Sequence, residues 1–138
     1  MDTLKINLHP TECNLCGGKV VFVSNAGIYG KEYGSGYCYW CTNCGAYVGT
    51  HKKWITKAFG ILANAEMRKL KRACHTLFDG VWSNPKERKL CYEILAEQMG
   101  IPVEECHFGY FDTDKLKQAY TILHRRELQN EFYRRNQG

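Results

Sequence analysis

The apolar positions change their period once along the chain. Between 19 and 50 they fall in short alternating or β-branched and aromatic runs, 19–24 (K-V-V-F-V-S), 36–40 (G-Y-C-Y-W) and 46–50 (A-Y-V-G-T), separated by Gly and Asn, which predicts three short strands. The segment between the first two, N-A-G-I-Y-G-K-E-Y-G-S-G, holds four glycines and a serine and is expected to be a mobile loop. From about residue 58 the period becomes helical. Leu62, Met67, Leu70, Cys74, Leu77, Phe78 and Val81 recur at three- and four-residue steps, with Arg68, Lys69, Lys71 and Arg72 on the remaining surface, as in an amphipathic helix. A second helix is predicted from N-P-K-E: Asn84 caps, Pro85 takes the first helical position and Glu87 completes a capping box. Leu90, Ile94, Leu95 and Met99 form its stripe, and Gly100 with Ile101-Pro102 ends it. A third starts after Asp112 or Thr113 with Leu116, Tyr120, Leu123 and Phe132 on one side. Continued to about residue 134 it would span roughly 30 Å, so its basic end is expected to project or to meet a partner.

The predicted class is therefore α+β: an N-terminal ribbon of short antiparallel strands over 1–57, then a helical domain of about three helices over 58–138 with a basic C-terminal helix. An apolar share of 44% against 24% charged residues, with 3 prolines, argues for an ordered chain. No window approaches the ~18 to 20 apolar residues of a membrane span, and M-D-T-L-K-I-N-L-H-P lacks a signal-peptide core. A cytosolic location is expected.

Eight cysteines in a reducing compartment point to metal rather than disulfides. C-N-L-C-G-G-K at 13–19 and C-T-N-C-G-A-Y at 41–47 share the form C-x-x-C-G, each with Asn between its cysteines. Two thiolates on each tight turn close a tetrahedron around one zinc, and Gly after the second cysteine permits the positive φ that aims amides at sulfur. Cys13, Cys16, Cys41 and Cys44 are thus the expected ligands of one structural Zn2+. In C-Y-W-C-T-N-C-G, at 38–45, pairing Cys38 with Cys41 would put Tyr39 and Trp40 inside the turn, whereas Cys41 and Cys44 repeat the first knuckle. Cys38 is the surplus thiol, a strand residue beside the site.

Other metal chemistry fits less well. Cys38, Cys41 and Cys44 match three positions of an iron–sulfur run, but Val48 occupies the fourth. A thioredoxin-type motif is a single C-x-x-C opening a helix. A hydrolytic zinc keeps a position for water, which four cysteines do not leave. Cys74-His75 and Cys106-His107 read as buried cysteines beside polar histidines, and nothing in the sequence brings His75, Asp79, His107 and Asp112 together as an acid–base cluster. A-E-Q-M-G-I-P, at 96–102, is like the first helix and turn of a helix-turn-helix, but the stretch that should be the recognition helix contains Pro102, Glu104, Glu105 and Gly109 and is poorly made for DNA.

The formal charge of +5 is spread thinly, and four thiolates with one Zn2+ lower it by two, to +3. His51, Lys52, Lys53 and Trp54, with R-K-L-K-R at 68–72, combine basic and aromatic character. Lys52, Lys53, Trp54, Arg68, Lys69 and Arg72 are the candidate contact set for nucleic acid or another partner.

Taken together, C-N-L-C-G-G-K-V-V, I-Y-G-K-E-Y-G, C-T-N-C-G-A-Y-V-G-T-H, G-I-L-A-N-A-E-M-R-K-L-K-R, H-T-L-F-D and E-C-H-F-G-Y-F-D resemble a family of small zinc-finger-containing proteins of bacteriophages and prophages, over about residues 11–123. The resemblance implies the metal role for the same four cysteines, carries over no catalytic residue and places the chain in a host bacterial cytosol. Small phage proteins of this kind include inhibitors of host defence, and some zinc-containing ones look like anti-CRISPR proteins directed at Cas9. The expectation is a non-enzymatic zinc-binding protein that acts on a host protein such as Cas9, blocking DNA loading or a domain movement; the alternative is a nucleic-acid-binding ribbon. A basic protein cannot imitate DNA in a positively charged channel.

Overall fold

The computed structural model describes residues 6–136; residues 1–5 and 137–138, the outer ends of the predicted ribbon and helical domain, lie outside the described residues. The chain forms two compact units, one ending at Glu66 and one beginning at Met67. Segment 58–66, which helical spacing assigns to the second part, therefore belongs with the first.

In the first unit the β-branched and aromatic runs become β1 (Val20–Ser24), β2 (Tyr37–Cys41) and β3 (Tyr47–Gly49). They form one antiparallel sheet in the order β1-β2-β3. Val20 pairs with Cys41 and Trp40 with Tyr47, so the sheet register carries the second knuckle to the end of β2, beside the chain that leaves the first. Val20, Tyr39, Cys41 and Val48 are buried together with Ala58 and Leu62. Leu62 thus lies in the ribbon core and not on the first helix. The Asn14 amide donates to the Leu62 carbonyl at 3.0 Å and accepts from the Leu62 N–H at 2.9 Å, while Ala63 bridges to Tyr47; backbone held this way is extended and cannot start a helix.

The glycine-rich stretch expected to be a mobile loop is folded. It opens with a single helical turn, α1 (Ala26–Tyr29), and Asn25 is buried at its base. The Asn25 side chain donates to the Tyr33 carbonyl at 2.9 Å and accepts from the Tyr33 N–H at 3.1 Å, which closes the loop as a turn.

The second unit contains most of α2 (Ala65–Asp79), then α3 (Pro85–Met99), α4 (Thr113–His124) and α5 (Glu127–Asn136). Met67, Cys74 and Phe78 face inward from α2, and Cys74 is buried while its neighbour His75 is exposed. Asn84 caps α3 as its sequence predicts, accepting from the Glu87 N–H at 2.9 Å, and the Glu87 carboxylate accepts from the Ser83 N–H at 2.8 Å. Residues 103–105 and 108–110 form single 3-10 turns where a helix-turn-helix would place a recognition helix. Phe108 and Phe111 from this region meet edge to face at 5.9 Å, and Phe108 meets Phe78 at 5.4 Å.

The predicted third helix is two helices. The chain turns at Arg125 and Arg126, and Arg126 takes a left-handed φ of 62°, a conformation whose usual signals, Gly or Asn, are missing here. Gln129 donates to the Leu123 carbonyl at 2.9 Å across the turn. The basic end does not project: Leu128, Gln129 and Phe132 are buried, and Arg135 pairs with Glu97 of α3 at 2.7 Å. Phe132→Ala should therefore cost about 3–5 kcal/mol in chemical denaturation, and Tyr133→Ala, at an exposed neighbour, should change stability by less than about 0.5 kcal/mol. Equal, small effects of both would contradict the docked tail.

Candidate metal centre

Each C-x-x-C turn is built by the same backbone pattern. The Cys13 N–H donates to the Gly18 carbonyl and the Gly17 N–H to the Cys13 carbonyl, both at 2.9 Å. In the second knuckle the Cys41 N–H donates to the Ala46 carbonyl at 2.8 Å and the Gly45 N–H to the Cys41 carbonyl at 3.0 Å. Gly17 and Gly45 close these turns with φ of 76° and 80°, the left-handed conformation expected of the glycine after each pair. Gly18 matters for space instead, since a Cβ there would stand 2.6 Å from the Asn43 Cβ and 3.0 Å from the Cys41 sulfur. The first knuckle's C-G-G is thus what lets the two turns approach.

The approach brings the sulfurs of Cys13, Cys16, Cys41 and Cys44 within 4.8 Å of one another. Cys13 to Cys44 is 3.7 Å and Cys16 to Cys41 is 3.5 Å. A tetrahedron with zinc–sulfur bonds of about 2.3 Å has edges of about 3.8 Å, so the cluster has the geometry of one structural Zn2+ site. Amide donors surround it: Leu15 N–H to Cys13 at 3.3 Å, Gly18 N–H to Cys16 at 3.3 Å, and the Asn43 and Cys44 N–H groups to Cys41 at 3.4 Å. The Asn43 side chain reaches across to the Cys16 sulfur at 3.4 Å. These donors favour thiolate, the form that binds metal.

The acidities reflect the same crowding. The Asn43 amide, then the Gly18 N–H, draws the Cys16 thiol down to about 6. At Cys44 the Ala46 N–H pulls in the same direction, but desolvation and the neighbouring cysteine sulfurs outweigh it and push the thiol up to about 12. Ionising all four sulfurs at such distances calls for a dication among them. Cys38 stays outside the cluster, 1% exposed in β2 opposite Gly49, and burial raises its thiol. Its assignment as the surplus cysteine agrees with this placement.

Two further contributors were visible only as identities in the sequence. Asn14 and Asn43 occupy the interiors of the two pairs, but one ties the knuckle to Leu62 and the other bonds a sulfur of the opposite knuckle; matched spacing does not reveal partners so distant in sequence. The six candidate contact residues are divided between the units. Lys52, Lys53 and Trp54 are exposed after β3 in the first, whereas Arg68, half-buried, and Lys69 and Arg72, exposed, lie on α2 in the second. The suspected acid–base residues are each engaged locally in the helical unit. His75 packs edge-on to Phe108 at 4.8 Å, His107 lies 4.7 Å from Tyr110, Asp79 accepts from the Trp82 indole at 3.2 Å and Asp112 caps α4.

A family profile described as a zinc-finger-containing domain matches residues 9–126. No curated protein and no solved structure matches the chain. Among the described residues no helix is long and apolar enough to cross a membrane.

Metal analysis should find one zinc per chain, lost in Cys13→Ser and Cys44→Ser and retained in Cys38→Ser. Asn43→Ala should keep the stoichiometry while lowering affinity about 10- to 100-fold in chelator competition. Zinc loss in Cys38→Ser would contradict the assignment.

Proposed function

The chain belongs to this family of zinc-finger-containing domains, and on that premise we propose that it acts by binding and performs no chemistry of its own, most concretely as an anti-CRISPR-type inhibitor of a host nuclease such as Cas9. The observation that carries the non-enzymatic reading is the donor set. Four cysteine sulfurs within 4.8 Å fill the coordination sphere of a tetrahedral zinc and leave no position for an activated water. The metal's work is then to hold a surface. Trp54, Ile55 and Phe59 are exposed on that ribbon, an apolar contribution of the kind a protein partner covers. The phage resemblance supplies the partner, and the positive charge directs the mechanism to blocking DNA loading or a domain movement rather than to DNA mimicry. Guide-loaded Cas9 should co-purify with the protein and lose target cleavage in its presence. Absence of a complex at micromolar concentrations, with cleavage unaffected, would overturn this partner.

A second reading, direct binding of nucleic acid, is favoured by one observation. The Lys57 ammonium sits 5.3 Å from the centroid of the Trp54 ring, which is 60% exposed, with Lys52 and Lys53 exposed beside it. A ring for stacking among cations for phosphates is the arrangement that holds single strands. Affinity should fall with added salt by about 0.7 log units per log unit for each phosphate met, and the Lys52→Ala/Lys53→Ala double variant should flatten that slope by about 1.4. No retention of a single strand at low salt would remove this reading.

A further inference from the structure

The second concentration of chemistry in the ribbon is a concavity of about 480 Å³ whose walls include the rings of Tyr29, Tyr33, Tyr37 and Phe59, with Ser35 and Thr50 also lining it. Its volume is that of a small-ligand site, about 300–1,000 Å³. Tyr33 and Phe59 are 51% and 54% exposed, so these two walls are rings open to solvent. The concavity is preformed. Asn25, buried at its edge, holds the Tyr33 peptide by two hydrogen bonds, and the Ser35 and Thr50 hydroxyls are 2.6 Å apart.

Ring geometry and charge narrow the occupant. Tyr29 and Tyr33 stand 5.4 Å apart at 89°, a corner in which a flat ring meets one face and one edge. Phe59 continues the aromatic track outward through His51, at 4.5 Å, to Trp54, 6.3 Å from His51. Each end of the track carries an ammonium, Lys31 5.4 Å from the Tyr33 centroid and Lys57 5.3 Å from the Trp54 centroid. Between residues 25 and 59 there are four lysines and one acidic residue, Glu32, and its carboxylate accepts from the Ser24 hydroxyl at 3.0 Å. Cations at both ends repel the quaternary ammonium that an aromatic cage otherwise suits, and attract phosphate. A base within a duplex is stacked and cannot enter; an unpaired one can.

From the corner, the track and the flanking lysines, we infer that this concavity receives an unpaired base of a single-stranded nucleic acid, stacked against Tyr33 and Phe59, while Lys31 and Lys57 meet phosphates on either side. The inference rests on the nucleic-acid reading above and adds to it a base site distinct from phosphate attraction. It is tested by fluorescence anisotropy on the zinc-loaded protein with labelled oligodeoxyuridine, a strand of equal length with abasic sugars, and oligouridine. The deoxyuridine or uridine strand should bind at least about 10-fold more tightly than the abasic strand. These two carry the same base, so the better of them identifies the sugar, and the margin of either over the abasic strand supports the site. Tyr33→Ala and Phe59→Ala should each cost roughly 5- to 100-fold with the base-bearing strand and leave the abasic strand unchanged; Tyr33→Phe, which keeps the ring, should restore binding, and an unchanged zinc content confirms the fold of each variant.

Equal affinity for base-bearing and abasic strands, unaffected by Tyr33→Ala, would overturn the base site while leaving phosphate-driven binding intact. Binding of no strand would overturn both, and Tyr33-dependent retention of Cas9 in that case would assign the concavity to a protein side chain.

Discussion

Four cysteine sulfurs lie within 4.8 Å of one another at the meeting of two turns, and as thiolates they would repel strongly at that distance without a shared cation. The rest of the ribbon depends on how this is resolved. Among the described residues its buried apolar cluster includes Cys13 and Cys41, which are themselves metal ligands. With two ligands inside that core, apolar packing and metal coordination are shared by the same residues. Metal binding then contributes to folding free energy, and the amides aimed at the sulfurs are part of the fold as much as of the site.

From the knuckles the constraint spreads outward through named contacts. Asn14, inside the first pair, fastens Leu62; Leu62 leads into Ala63, which bridges to Tyr47 at the start of β3. Cys41 ends β2, and β2 carries Tyr37 and Tyr39 against Phe22 of β1. The Tyr39 hydroxyl donates to the Thr56 carbonyl, tying down the segment that presents Trp54 and Phe59. A closed metal site thus positions an aromatic, lysine-flanked surface on the ribbon. The helical unit has a core of its own, with Phe78, Phe108 and Phe111 fully buried.

What could be read from sequence was whatever chemistry is local. The C-x-x-C-G repeats name the ligands because spacing within a turn decides the geometry, and Asn84-Pro85 followed by Glu87 marks a helix start within four residues. The three strands follow from β-branched and aromatic runs for the same reason. The failures all involve contacts between distant residues or a conformation against type. Leu62 has helical spacing to Met67 and Leu70 only in part, and its capture by Asn14, 48 positions away, overrides that pattern. Arg126 adopts the left-handed φ that Gly or Asn would announce, so a bent pair of helices has the pattern of one long helix. Asn25 converts a glycine-rich stretch into a folded turn through bonds to Tyr33, which composition alone does not encode. The aromatic concavity is lined by residues of that turn and was for this reason invisible in the linear sequence.

Hydrogen exchange on the full chain, with and without a zinc chelator, tests the central claim most directly. Metal removal should abolish protection in β1, β2 and the segment at 61–63, because their register is held by the four sulfurs, while amides of α3, α4 and α5 keep theirs. Protection of β1 and β2 that survives complete loss of zinc would contradict the account.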